Sequence, residues 1–237
     1  MRKEKTTVNS FVHVYNRGNR KQPIVRDAKD KWHFLEMLYY FNDESTLMNP
    51  FREVQGLFRT GLNKSFVWPL TWPERKPLVK IMAFSILENH FHLFLKEIQE
   101  GGITKFMRRL GTGMATYFNE KYQETGRLFQ GPYKAKLVEE EMYLKYLSVY
   151  VQVKNTFEMY PEGFGEAVKN FDKAYEWATQ YPYCSLADYA DKRNSPIIEK
   201  DILGDFFSNP KEYKEFARQC LTRMDIEEKL GSLILEN

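Results

Sequence analysis

The chain of 237 residues is poor in cysteine and has no long apolar run. Its two cysteines, Cys184 and Cys220, lie far apart and lack the paired spacing of a zinc site or a disulfide framework. They read as unpaired thiols of a reducing compartment. Nothing approaches the roughly 18–20 consecutive apolar residues that a bilayer-spanning helix needs, so no membrane partner is expected. The basic opening Met1-Arg2-Lys3-Glu4-Lys5 is not followed by the apolar stretch of a secretory signal, and a cytoplasmic protein is expected. Internal repeats and low-complexity segments are also missing. An excess of one charge is lacking too: 35 Lys and Arg against 32 Asp and Glu leave a net charge of +3, which alone does not point to nucleic acid.

What is present suits a folded domain. Apolar residues make up 43% of the chain and aromatics 16%, enough to bury a core, and 28% charged residues keep the surface polar. The length allows one sizeable domain, alone or with an appendage. The basic residues are grouped. Arg2, Lys3, Lys5, Arg17, Arg20 and Lys21 flank the first expected strand; Lys105, Arg108 and Arg109 fall on an expected helix. Arg127, Lys134 and Lys136 surround Phe129 and Tyr133, an interleaving that suits phosphate contact with base stacking. Taken alone, a solvated mixed face is the plainer reading of the same groups.

Residues 9–16 alternate as a strand, with Phe11, His13 and Tyr15 on one face, and Arg17-Gly18-Asn19 supplies turn chemistry. From Asp27 to about Phe41, Trp32, Phe34, Leu35, Leu38 and Tyr39 recur at helical spacing. Residues 42–75 are polar and irregular, an excursion before the chain returns to the sheet. Residues 78–96 are the strongest strand material and break at Glu88-Asn89, which predicts two adjacent strands. A helix follows from about Ile103 to Tyr122, then extended structure over 129–138 and a helix from about Glu140 to Lys154. A short helix over Phe171–Thr179 and a helical region near 209–230 complete the pattern. Helices interleaved in this order with a mainly antiparallel sheet predict an α+β layer architecture.

Two features carry chemistry. In His90-Phe91-His92, residues two apart on a strand point the same way, so the imidazoles are neighbours and form half of a divalent metal site. Phe91, Leu93 and Leu95 then face a core. On the helix beginning near Glu140, Tyr143, Tyr146 and Tyr150 recur at i, i+3 and i+7 and share a face. A tyrosine can attack phosphorus when a metal polarises the phosphate; rings simply packed on the sheet are the plainer reading.

Several segments, taken in order, resemble the REP-associated tyrosine transposases, a single-tyrosine family related to insertion-sequence transposases. His13 to Asn19 resembles their amino-terminal strand and turn, and Leu87 to Leu93 their His-hydrophobic-His strand. Gly126-Arg127-Leu128-Phe129-Gln130-Gly131-Pro132-Tyr133-Lys134 is similar to their Gly-x-Leu-Phe-Gln segment. Tyr143 to Val151 looks like the helix bearing the single tyrosine, and Tyr181 to Tyr189 the segment that closes the domain. The resemblance implies a ferredoxin-like antiparallel sheet with packed helices over residues 1–189, interrupted by 42–75, and a helical extension over 190–237. It implies that His90 and His92 bind Mg²⁺ or Mn²⁺ and that Tyr150 attacks single-stranded or hairpin DNA, leaving a 5′-phosphotyrosine and a free 3′-hydroxyl. DNA contacts are expected from Arg17, Arg20, Arg108, Arg109, Arg127, Lys134, Lys136 and Lys154, and a homodimer is compatible with the family.

One position departs from the family pattern. Four residues after the tyrosine, where the family commonly carries Asn or Gln as the third ligand, stands Lys154, followed by Asn155. An ammonium does not ligate a metal and its charge opposes one nearby. Three readings are open. Asn155 or Gln152 supplies the ligand through a local adjustment of the helix, Lys154 binds phosphate directly, or the site has lost metal and activity. The third would leave a nucleic-acid-binding protein on the transposase fold. A metal-dependent hydrolase that uses His90 and His92 with water is a further alternative. His13 shares a face with Tyr15 and could point into the same cavity.

Overall fold

The computed structural model describes residues 6–45, 51, 66–223 and 225–234. Four strands form its sheet: β1 (Phe11–Arg17), β2 (Val79–Ile86), β3 (His90–Glu97) and β4 (Lys134–Leu137). Their order is β2-β3-β1-β4 and all three pairings are antiparallel. With α1 (Ala28–Tyr40) between β1 and β2, and α2 (Gly102–Tyr122) between β3 and β4, this is the βαββαβ arrangement of a ferredoxin-like sheet. Much of the expected excursion 42–75 lies outside the described residues.

Period-two alternation sorts the strands into two faces. Val12, Val14, Phe84, Ile86, Phe91, Leu93 and Leu95 enter one core with Phe34 and Leu38 of α1 and Phe106, Leu110 and Met114 of α2. Asp27 caps α1 and forms a reciprocal capping box with Asp30. Asp30 is fully buried, and hydrogen bonds from Tyr117 and Tyr122 with an ion pair from Lys121 tie α1 to α2. Gly18 closes the turn after β1, where a Cβ would lie 1.9 Å from the Gln22 carbonyl oxygen.

The opposite face carries Phe11, His13, Tyr15, His92 and Phe94, and is covered by a long helix and the C-terminal region. The helix, α3, runs as Glu141–Val149, a π-helical turn Tyr150–Lys154 and a last turn Asn155–Phe157. Leu147, Val151, Val153 and Phe157 fill a second core with Met82 and Phe94 of the sheet. Short helices α4 (Phe164–Lys169), α5 (Phe171–Gln180), α6 (Leu186–Tyr189) and α7 (Ile202–Phe206) follow, then α8 (Pro210–Thr222) and α9 (Ile226–Leu230). Tyr183 and Ser185 bond to Ile86 and Phe84, so this segment closes against β2. Among the described residues, those beyond 189 do not form a core of their own. Leu203, Tyr213, Ala217 and Cys220 pack in the same core as α3, and Asp201 pairs with Lys80 of β2 and Lys96 of β3. Among the described residues no helix is long and apolar enough to cross a membrane.

Candidate active site

The sheet places three imidazoles and a phenol side by side. His90 and His92 follow each other on β3 with ring centroids 5.1 Å apart and planes nearly perpendicular. In the β1–β3 register Tyr15 stands opposite His92 and Arg17 opposite His90. His13 lies edge to edge with His92, ring centroids 5.1 Å apart and planes within 16° of parallel, and its Nε2 lies 2.9 Å from His92 Nδ1.

Helix α3 brings Tyr150 over this row. Its ring meets His92 edge-on at 5.4 Å and His13 at 6.1 Å. Periodicity put Tyr143, Tyr146 and Tyr150 on one stripe, but their surroundings differ. Tyr146 stacks on Phe216 of α8, whereas Tyr150 is 3% exposed against the histidines. Burial, then the charges of Glu158 and Glu227, push the Tyr150 phenol pKa above its ordinary value, and Arg17 opposes them. The phenol is therefore protonated at neutral pH.

A π turn changes which residue lies one turn beyond Tyr150. The backbone N–H of Asn155 donates to the Tyr150 carbonyl, an i→i+5 bond that makes Asn155, rather than Lys154, the residue one turn beyond the tyrosine. Such turns are uncommon and often mark functional positions. The Asn155 side chain is buried, and its Nδ2 lies 3.5 Å from Ser85 Oγ, the neighbour of His92 in the β2–β3 register. Gln152 is otherwise committed: its Nε2 donates to Tyr213 and its Oε1 accepts from Ser185. Lys154 is buried and ion-paired with Glu158 at 2.6 Å and with Glu227 of α9, and its ammonium lies 5.2 Å from the Tyr150 ring centroid. Burial lowers its pKa, but the two carboxylates raise it further, so it stays charged.

Both site histidines are neutral. His90 Nδ1 lies 2.6 Å from Asn89 Oδ1, while Asn89 Nδ2 donates to the Lys21 carbonyl and so fixes which end of the amide faces the ring. His90 Nδ1 is thus the protonated nitrogen and Nε2 carries the lone pair. Burial, then Arg17 and Lys154, lower its pKa to about 4. Burial holds His92 well below the usual range, and lowers His13 to about 4. His92 Nε2 is buried with no hydrogen-bond partner among the described residues. An unpaired buried polar atom costs roughly 1–3 kcal/mol and is uncommon in folded proteins.

These residues fit a divalent cation. Two uncharged imidazole nitrogens and the amide of Asn155 one π turn beyond the tyrosine are the donor types such an ion takes. Among the described residues no group of three His, Cys, Asp or Glu could hold an ion.

The basic residues are less evenly gathered than the sequence suggested. Lys134 and Lys136 of β4 stand opposite Tyr15 and His13, on the site's face. Arg17 is buried beside His90, with its Nε unpartnered among the described residues. Arg20 and Arg127 are exposed at the same end of the sheet, where Gly18 bridges Phe129. Arg108 and Arg109 lie on α2, across the sheet from Tyr150. Arg109 donates to the Asp43 carbonyl at 2.5 Å and so anchors the start of the excursion.

Sequence reasoning missed the C-terminal segment. Ile226, Leu230 and Ile234 enter the core beside Tyr150, and Glu227 pairs with Lys154. The Leu233 carbonyl meets His13 Nδ1 at 2.5 Å, and the Ile234 carbonyl meets the Tyr15 hydroxyl at 3.4 Å. The helical region expected near 209–230 carried no sign of where it packs.

Residues 74–154 match the family described as transposase IS200 like. The matched segment is about a third of the chain and runs from the approach to β2 through the π turn, so it contains His90, His92 and Tyr150. The resemblance read from the motifs is therefore supported over residues 74–154, where the chain is similar to the IS200-like transposases. A solved structure of a REP-associated tyrosine transposase bound to a REP hairpin is similar over 84% of this chain and 89% of that one, at 11% identity and a TM-score of 0.44. That likeness is too low to carry a statement about function. No curated protein is significantly similar to the chain.

Proposed function

We propose that the protein cleaves and rejoins single-stranded DNA through Tyr150, on strands that carry a hairpin. The observation that carries this reading is the placement of one buried phenol against the His90–His92 face, within a segment similar to transposases that act on DNA. The Tyr150 oxygen attacks the scissile phosphorus. The new Tyr O–P bond forms as the P–O3′ bond breaks, leaving a 5′-phosphotyrosine and a free 3′-hydroxyl. The phenol loses one proton and the departing 3′-oxygen gains one, so no net proton is consumed. Because the intermediate is a phosphodiester, a second 3′-hydroxyl can reverse the step and join a new strand without external energy.

His90, His92 and Asn155 would hold Mg²⁺ or Mn²⁺, which as a Lewis acid neutralises charge developing on the phosphate. Arg17 places a fixed positive charge beside His90 and Tyr150, where it favours both the phenolate and the approaching phosphate. Lys134 and Lys136 extend that positive rim along β4 and suit backbone contacts. Tyr150 is 3% exposed, so a strand reaches the phenol only when part of its cover moves.

A second reading has its own observation. Lys154 is neutralised by Glu158 and Glu227 across the site, the arrangement expected if the fold is kept for binding alone. The two separate on one assay: labelled hairpin DNA is incubated with Mn²⁺ and run under denaturing conditions, with His90→Ala in parallel. The enzyme reading expects cleavage that His90→Ala abolishes while the fold survives, since His90 is only partly buried. Binding without cleavage by the unmodified protein supports the second reading.

A further inference from the structure

We infer that His13 is a positioning residue, which together with the Leu233 carbonyl holds His92 in the tautomer that leaves its Nε2 lone pair bare. This rests on the reading of His90 and His92 as the site of chemistry. One atom in this chain of bonds has a fixed role. A backbone carbonyl only accepts, so at 2.5 Å His13 Nδ1 is the donor to Leu233. His13 is completely buried and its hydrogen-bond partners are this carbonyl and His92, with no carboxylate to balance a charge, so the ring is neutral. A neutral ring protonated at Nδ1 has a lone pair at Nε2. At 2.9 Å that lone pair accepts from His92 Nδ1, which must therefore carry the His92 proton. His92 Nε2 is then unprotonated, and it is this atom that is buried without a partner beside Tyr150.

Asn89 does for His90 what His13 does for His92: it accepts from Nδ1 at 2.6 Å and leaves Nε2 bare. The two keys come from different places. Asn89 adjoins its histidine in sequence, whereas His13 comes from the neighbouring strand and is itself set by the tail. Without His13, nothing in the described surroundings fixes which nitrogen of His92 bears the proton. Outer partners of this type commonly change metal affinity by about 10–100-fold when removed.

The test is long-range ¹H–¹⁵N correlation on the full-length, metal-free protein at neutral pH, which reads the tautomer of each histidine directly. His92 is expected protonated at Nδ1 in the unmodified protein. His13→Ala should convert it to a mixture or to the Nε2–H form and weaken Mn²⁺ binding by about 10–100-fold. His13→Gln, whose amide can accept from His92, should restore both. Finding His92 protonated at Nε2 in the unmodified protein overturns the proposal even if every variant fails to fold. So does an unchanged tautomer in a folded His13→Ala. A correct tautomer in a protein that never cleaves DNA would sink the enzymatic reading and leave the positioning intact; cleavage with an insensitive tautomer would do the reverse.

Discussion

The two faces of the sheet are built from the same strands and have opposite chemistry. Toward α1 and α2 stand Val12, Val14, Phe91, Leu93 and Leu95, all essentially without exposed surface. Toward α3 stand His13, His92 and Ser85, equally buried but polar. Burying apolar side chains gains roughly 25 cal/mol per Å², while burying imidazoles gains little and leaves one nitrogen unpaired. Both faces bury an apolar core, but only the α3 side sets buried imidazoles among it and accepts the cost of doing so.

The largest expected effect tests the first half of that contrast. Phe91→Ala removes a ring packed at 5.1 Å from Phe34 and 5.9 Å from Phe129. It should cost about 3–5 kcal/mol in denaturant unfolding. A loss below about 1 kcal/mol would show that this face contributes little to stability.

The polar face should instead show itself in acid. His13 has a pKa lowered from 6.5 to about 4, mainly by burial, so the unfolded chain takes up its proton first. Its contribution is therefore full above about pH 6.5 and is lost as the pH falls toward 4, on the order of 3 kcal/mol for this one ring. His90 adds a loss in the same window. On the other face burial works against Asp30, but bonds from Lys121, Arg26, Tyr122 and Tyr117 hold its carboxyl below the usual value, so its loss comes at lower pH. Urea unfolding free energies that stay flat from pH 7 to 4.5 would contradict the buried-histidine account.

Much of this contrast was legible beforehand. Alternation in His90-Phe91-His92-Leu93 fixed which residues share a face, because a strand has one period and no freedom in it. The element order was legible too, as were most boundaries to within a few residues. Three things were not. The π turn at Tyr150 leaves no mark in helical spacing, which reads the same whether one bond is i→i+4 or i→i+5. The short helices α4, α6 and α7 have too few residues for periodicity to show. The seating of Leu233 against His13 is a contact across 220 residues of chain, set by tertiary packing alone.

The smallest expected effect compares the two faces as DNA surfaces. Lys134→Ala, on the site's face, should weaken hairpin binding and reduce the salt slope by about 1. Arg108→Ala, exposed on α2 beyond the opposite face, should leave both unchanged. Equal effects from the two would mean that the nucleic acid does not enter over β4.

The account depends most on one oxygen atom. Tyr150→Phe keeps the ring against His92 and should alter stability by less than about 1 kcal/mol. The decisive measurement is recovery of a covalent protein–DNA adduct from labelled hairpin DNA with Mn²⁺, for the unmodified protein, Tyr150→Phe and Tyr146→Phe. The expected result is an adduct with the unmodified protein and with Tyr146→Phe, and none with Tyr150→Phe, which still binds the DNA. An adduct that persists in Tyr150→Phe, or cleavage with no adduct in any of the three, would contradict it.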